Sequence, residues 1–71
     1  MSNRHKKNLD INSNWTAVVP IKGWKHYRIA AKKKQDGQVL LELMSICDRS
    51  VRFWVDSETL INSSDWQPGW L

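Results

Sequence analysis

The middle of the chain alternates between apolar and polar positions with a period of two, which is typical of β-strands. The alternation runs through three segments, 26–32, 39–44 and 51–56. Turn-forming residues separate these segments: Asp36-Gly37 is a hairpin signal, and Asp48-Arg49-Ser50 marks a second turn. The pattern therefore predicts a three-strand antiparallel meander in the centre of the chain.

The length of the first turn decides which side chains share a face, because a slip of one residue moves every side chain to the other face. A two-residue loop would place Lys32 opposite Leu41. A three-residue loop over 35–37 places Ala31 opposite Leu41 instead, and it keeps the apolar side chains together. We therefore predict the three-residue loop.

The second turn is treated in the same way, with a three-residue loop over 48–50. This loop places Leu43 opposite Val55 and Cys47 opposite Val51, so the third strand continues the same apolar face. The predicted core face consists of Tyr27, Ile29, Ala31, Leu41, Leu43, Cys47, Val51, Phe53 and Val55.

The opposite face of the meander mixes basic, aromatic and apolar side chains, and it is too apolar to be fully solvated. Basic residues beside an aromatic platform are typical of proteins that bind single-stranded nucleic acid. Glu42 and Asp56 lie on the same predicted face and weaken its positive field. The candidate binding residues are Arg28, Lys32, Met44, Arg52 and Trp54.

The alternative hypothesis is that this face binds a protein partner or a second copy of the chain. It would use an apolar patch formed by Leu40, Met44, Ile46 and Trp54. Exposed apolar patches often mark protein interfaces. The sequence does not choose between nucleic acid and protein, and it leaves the oligomeric state open.

The ends of the chain complete the predicted domain. Residues 1–14 are polar and form a predicted flexible or loosely docked basic arm, so the single β domain spans residues 15–71. We predict a first strand over 15–19, a loop over 20–25, a single helical turn capped by Ser57, and a short final strand. A Pro-Gly turn near the end should bring Trp66 and Trp70 close together.

This element order predicts a mainly β fold, either a small SH3-like barrel or a curled antiparallel sheet. The chain has 71 residues and one cysteine, so no internal disulfide can stabilise it. The sequence contains five tryptophans, and each indole can bury about 150–250 Å². We expect at least three of the five to be buried and one or two to be exposed to a ligand.

The sequence lacks the residue patterns that are typical of an active site or a metal site. The net charge of +4 is divided equally, since residues 1–14 contain three bases and one acid and the remainder contains eight bases and six acids. His26 should face away from Cys47, and no metal-ligand spacing or phosphate loop is present. We predict a non-enzymatic, cytoplasmic binding module without metal or cofactor, and no membrane span, since no apolar run approaches about 18–20 residues.

Three segments of the chain resemble a known family: Trp15-Thr16-Ala17, Lys25-His26-Tyr27-Arg28 and the closing 63–70, which reads SSDWQPGW. They are similar to the small tryptophan-rich conserved hypothetical proteins of bacteria. The resemblance covers about residues 15–71, and its most specific part is the closing segment. It implies one compact domain defined by its tryptophans, and it assigns no activity, substrate or site residue.

Overall fold

The structure is a computed structural model that describes residues 9–62 and 64–70. Five antiparallel strands form one sheet, and a short helix follows the fourth strand. The predictions of a mainly β fold, a central meander and one helical turn are confirmed. The elements are β1 (Asn14–Ile21), β2 (Trp24–Gln35), β3 (Gln38–Ser45), β4 (Arg52–Asp56), α1 (Ser57–Asn62) and β5 (Trp66–Pro68).

The sheet is open but strongly curled. Its strand order is β4-β3-β2-β1-β5, so β4 and β5 are the two edges of the described sheet. In a flat sheet, four strand spacings would separate these edges by about 19 Å. The ring centroids of Phe53 on β4 and Trp66 on β5 are nevertheless only 6.2 Å apart. Of the two predicted architectures, the curled sheet is therefore formed and the closed barrel is not.

Two tight turns set the first two hairpins. Lys22 and Gly23 have φ angles of 54° and 86°, and Asp36 and Gly37 have φ angles of 53° and 79°. Positive φ at both central residues is the signature of a type I′ turn, whose twist suits a hairpin. The predicted loops over 20–25 and 35–37 are both wrong, because each hairpin closes with two residues.

A β-bulge in β2 reconciles this tight turn with burial of the core. The two-residue turn forces Lys32 opposite Leu41 at the tip of the hairpin. Further along, Ile29 lies opposite Leu43, the partner that the longer loop would have given it. Ala30 is the extra residue between the two registers, as in a bulge. The bulge thus allows both the two-residue turn and the burial of Ile29 opposite Leu43. The predicted register is wrong only on the turn side of the bulge.

The β3–β4 connection is longer than the predicted loop. The hydroxyl of Ser45 accepts hydrogen bonds from the backbone N–H groups of Cys47 (3.1 Å) and Asp48 (3.2 Å), which ends β3 at Ser45. Leu43 consequently lies opposite Phe53, two residues from its predicted partner. Because the shift is even, the faces are unchanged. Cys47, which the prediction placed in the core, lies exposed in the loop.

The core lies on the concave face of the sheet, beneath α1. Tyr27 is its centre, with ring centroids 5.6 Å from Phe53 and 5.5 Å from Trp66 in edge-on contacts. Leu60 of α1 closes the core, and Asp56, rather than Ser57, caps the helix by accepting the N–H of Glu58 (2.8 Å). The buried apolar residues are Trp15, Ala17, Tyr27, Ile29, Leu41, Leu43, Leu60 and Trp66, and Val51, Phe53 and Val55 pack against them half-buried.

The indoles are divided more evenly than expected. Trp15 and Trp66 are buried, whereas Trp24, Trp54 and Trp70 are 37%, 41% and 40% exposed. The prediction that at least three are buried is therefore wrong. Tyrosine and aliphatic side chains supply the rest of the core, which leaves three indoles for the surface.

The described part of the predicted arm docks on β2 beside the bulge. The N–H of Asn12 donates to the carbonyl of Ile29 (2.8 Å), and the N–H of Ile29 donates to the carbonyl of Ser13 (2.9 Å). Leu9 packs against the core. Residues 1–8 lie outside the described residues, and their flexibility stays a prediction. Within the described residues, no helix has the length and apolar character needed to cross a membrane.

Candidate functional site

The face of the sheet that points away from the core, which we call the outer face, contains two of the three half-exposed indoles, Trp54 and Trp70. Trp24 is beside the β1–β2 turn and lies opposite Ile21, which packs against the core, so we do not include it in this face. Trp54 lies on the outer face because both of its neighbours in β4 pack against the core. Trp70 reaches it from the C-terminal segment, as described next.

A turn at Gly69 carries the C-terminal segment onto the outer face. The N–H of Gly69 donates to the carbonyl of Asn14 (2.8 Å), and its carbonyl accepts the hydroxyl of Thr16 (2.7 Å). Gly69 has a φ of 84°, a conformation that glycine adopts without strain. These bonds tie the segment across β1, next to the pairing of β5.

Trp70 lies over β2 as a result. Its indole Nε1–H donates to the backbone carbonyl of Tyr27 (2.9 Å). The guanidinium carbon of Arg28 is 5.5 Å from the centroid of the ring, and the ring of His26 is 6.2 Å from it. Because Trp66 points into the core, the predicted proximity of Trp66 and Trp70 is wrong: the two indoles lie on opposite faces.

A transverse row of side chains runs across the outer face from β4 to β1. The register places Arg52 opposite Met44, Met44 opposite Arg28, and Arg28 opposite Asn14. The guanidinium of Arg52 lies 3.3 Å from the sulfur of Met44 and 3.7 Å from the carboxylate of Glu42. Two arginines therefore flank Met44, and one of them is partly neutralised.

Lys33 replaces Lys32 as the basic side chain that accompanies Trp54. The Lys33 Nζ lies 4.4 Å from the centroid of the Trp54 ring, close enough for a cation–π interaction. Lys33 is on the outer face because it lies opposite Leu40, whereas its neighbour Lys32 lies opposite the buried Leu41.

Lys32, a predicted site residue, thus belongs to the core side of the sheet. Its Nζ lies 3.9 Å from the carboxylate of Asp10 in the docked N-terminal segment. The cause is the bulge at Ala30, which exchanges the faces of all the β2 residues beyond it. The structure places the other four predicted site residues together on the outer face: Arg28, Met44, Arg52 and Trp54.

The signal for this exchange is present in the sequence. Asp36-Gly37 is among the strongest signals for a two-residue type I′ turn. Giving that turn more weight than apolar continuity would have placed Lys33 on the outer face. Trp70 is also absent from the predicted site, because the sequence predicts that the closing turn holds it beside Trp66.

A buried donor and a buried acceptor belong to neighbouring residues of β2 and β1 beneath this surface. Arg28 Nε and Asn14 Oδ1 are shielded from solvent, and neither has a hydrogen-bond partner among the described residues. Arg28 and Asn14 are direct neighbours across β1 and β2. Buried polar atoms are ordinarily paired, so this site beside Trp70 retains hydrogen-bonding capacity.

A family model described as "Tryptophan-rich protein (DUF2389)" matches residues 13–71. The chain belongs to this tryptophan-rich family. The match includes every strand of the sheet and all five tryptophans, and the function of the DUF2389 family is unknown. No curated protein and no solved structure matches the chain.

The tryptophans that give the DUF2389 family its name thus have two different environments in this member. Within residues 9–62 and 64–70, no group of three or more histidine, cysteine or acidic side chains could hold a metal ion. His26 contacts Trp70 on the outer face, and Cys47 lies in the exposed β3–β4 loop. The outer face, with its indoles and arginines, is therefore the candidate functional site.

Proposed function

We propose that the outer face binds single-stranded nucleic acid with little sequence preference. The observation that supports this function is that Trp54 and Trp70, both half-exposed, share one sheet face with Arg28 and Arg52. An antiparallel sheet with exposed aromatic rings is a recurrent platform for unstacked bases, because every base has a π-face that can stack on a ring.

The spacing of the rings suits more than one base. Trp54 is on β4 and Trp70 lies over Tyr27 and Arg28 of β2, so the two indoles are separated by about two strand spacings, or about 10 Å, across the sheet and by about two residues, or about 7 Å, along it. Stacking contributes about 1–3 kcal/mol per base.

The charge of the face predicts weak, salt-dependent binding. Three bases on it, Arg28, Lys33 and Arg52, are opposed by two acids, Glu42 and Asp56. Each phosphate contact steepens the salt dependence of the affinity for a single strand by about 0.7 in a log–log plot. We expect two or three such contacts, so that the slope stays shallow.

The test is fluorescence anisotropy of a labelled single-stranded oligonucleotide at low and high salt. Trp54→Ala should weaken binding about 5- to 100-fold, because one stacked base is lost. Arg52→Ala should weaken it less and should reduce the salt slope. The absence of oligonucleotide binding to the wild-type protein at low salt would overturn the proposal.

Lys33 and Lys34 provide a matched control. They are adjacent and both exposed, but Lys33 is on the outer face and Lys34, which lies opposite Val39, is on the core side. Lys33→Ala and Lys34→Ala remove the same charge from opposite faces. Binding by the outer face requires a larger loss for Lys33→Ala, whereas equal losses would indicate non-specific attraction to a basic protein.

Binding of a protein partner is the second candidate function. It is favoured by the exposure of Ile46 and Trp54 near the half-buried Leu40 and Met44. Affinity capture from the native lysate, with and without nuclease, separates the two functions. Bound material that is lost after nuclease supports nucleic acid. A single protein that is retained after nuclease and is lost with Met44→Asp supports the second function.

A further inference from the structure

The edge strand β4 has a self-complementary sequence. It is the last strand on its side of the sheet, and in the described part of the chain no strand pairs with its outer edge. Its five residues run from basic Arg52 through Phe53, Trp54 and Val55 to acidic Asp56. An antiparallel copy centred on Trp54 would place Arg52 opposite Asp56, and unpaired edges are ready templates for such pairing.

The backbone of β4 presents the groups that this register needs. The N–H of Ser45 donates to the carbonyl of Val51 (2.9 Å), which fixes the hydrogen-bonding phase of the β3–β4 ladder. Hydrogen-bonded and non-hydrogen-bonded pairs alternate along an antiparallel ladder. Phe53 therefore points its backbone groups toward β3, whereas Arg52, Trp54 and Asp56 point theirs toward the open edge.

We propose that two copies of this chain pair antiparallel along β4, about a two-fold axis at Trp54, so that their two five-stranded sheets become one. The three outward-pointing residues of one copy then meet the same three of the other, and each forms a hydrogen-bonded pair. An interface of this kind is isologous, so a single strand supplies both surfaces. The inference rests on the open edge of β4 and not on nucleic-acid binding, and Arg52 and Trp54 belong to both proposed surfaces.

The side chains agree with the same register. On the outer face, Trp54 lies beside Trp54 of the second copy, and Arg52 lies opposite Asp56 on both sides of the axis. On the core face, Phe53 lies opposite Val55. Aromatic pairs, aromatic–aliphatic pairs and opposite charges all stabilise neighbouring strands when directly opposite. A slip by one residue along either strand would set outward-pointing groups against inward-pointing ones.

Arg52 and Asp56 can form the proposed ion pairs while they keep the contacts that they already make. Arg52 is 49% exposed, and its contact with Glu42, at 3.7 Å, uses only part of a guanidinium that has five donors. Asp56 accepts one hydrogen bond from Glu58, and a carboxylate can accept several. α1 packs against β3, β4 and β5, and its buried Leu60 belongs to the core.

The decisive test uses two charge variants, Arg52→Asp and Asp56→Arg, in sedimentation equilibrium from micromolar to millimolar protein. The wild type should dimerise. Each variant alone places like charges opposite one another twice, and its dimer should be at least about tenfold weaker. An equimolar mixture restores both opposite-charge pairs, so it should dimerise like the wild type. Circular dichroism of each variant checks that the sheet is retained.

A disulfide test locates the axis, in a Cys47→Ser background that removes the exposed thiol. Trp54→Cys should oxidise to a covalent dimer, because directly opposite, hydrogen-bonded residues have Cα atoms about 5.5 Å apart, within disulfide reach. Arg52→Cys is the matched control. It should not form a covalent dimer, because position 52 of one copy lies four residues away from position 52 of the other in this register. A wild type that remains monomeric at millimolar concentration, a dimer insensitive to the charge variants, or equal cross-linking at both positions would overturn the proposal.

Discussion

The two faces of this sheet contain the same residue type in opposite roles. On the core face, Trp15 and Trp66 are buried and pack with tyrosine and aliphatic side chains. On the outer face, Trp54 and Trp70 keep 41% and 40% of their surface exposed. Each of these two rings is in contact with a cation, Lys33 at Trp54 and Arg28 at Trp70. A high tryptophan content in a small domain therefore does not by itself measure its core.

The largest expected difference between the faces is in stability. Trp15→Ala should cost about 3–5 kcal/mol, as removal of a buried indole usually does. That is comparable to the stability that a core of this size supplies, so the variant should be largely unfolded. Trp54→Ala should change the free energy of unfolding by less than about 1 kcal/mol, the value of an exposed cation–π contact. Urea denaturation followed by circular dichroism compares the two, and equal costs would contradict the division into two faces.

Trp70 should have an intermediate effect, because it is half-exposed but hydrogen-bonded to the backbone of β2. Trp70→Phe removes the Nε1–H donor to the Tyr27 carbonyl together with one ring of the indole, and the loss of the hydrogen bond should cost about 0.5–1.5 kcal/mol. Trp70→Ala also removes the contacts with Arg28 and His26 and should cost about 1 kcal/mol more. If Trp70→Phe were neutral, the hydrogen bond would contribute nothing, and the segment would be held only by its ring.

The smallest expected effect is a loss of stability at alkaline pH, and it concerns the core face alone. Burial raises the pKa of Tyr27, the only tyrosine, above its usual value of about 10. Because the neutral phenol is favoured in the folded state, the contribution of Tyr27 to stability is fully present below about pH 10 and is lost as the pH rises through the raised pKa. Tyrosinate absorbance and urea midpoints should both show this. In Tyr27→Phe the alkaline loss of stability should be reduced, and an unchanged loss would assign it to other groups.

The acid range involves a different part of the molecule. Asp48 accepts hydrogen bonds from the hydroxyl (2.7 Å) and the N–H (3.0 Å) of Ser50, and these lower its pKa below the usual value. A lowered pKa means that the contribution is present above the unfolded value and is lost as the pH falls through the folded one. This contribution belongs to the exposed β3–β4 loop, so it concerns neither face of the sheet.

The secondary structure was largely predictable, and its registers were not. Alternation located the strands of the meander, because a half-buried strand must alternate its side chains. The register of β3 with β4 depends on Ser45, whose hydroxyl accepts two backbone N–H groups and ends the strand. The hydrophobic period does not reveal this competition, in which a side chain accepts backbone N–H groups that could otherwise bond to the neighbouring strand. The same limit applies to the bulge at Ala30, which resolves a conflict between turn and core.

The candidate site was predictable only in part for the same reason. Arg28, Met44, Arg52 and Trp54 share the outer face because the bulge and the shifted loop leave their faces unchanged. Lys32 lies beyond the bulge and therefore changes face. A prediction of which β2 lysine faces Trp54 requires the exact pairing of β2 with β3, and one residue is enough to reverse it.

The sequence by itself determined that this chain forms a mainly β domain with a central meander, one short helical turn and no internal disulfide, because alternation, turn residues and cysteine count are local properties. Only the tertiary structure decided which indoles are buried. Trp66 enters the core because β5 pairs with β1, where Ala17 lies opposite Trp66, and Trp70 is turned outward by the bonds of Gly69 to Asn14 and Thr16. These contacts join residues about fifty positions apart, and their energy depends on the assembled sheet rather than on any neighbouring residues.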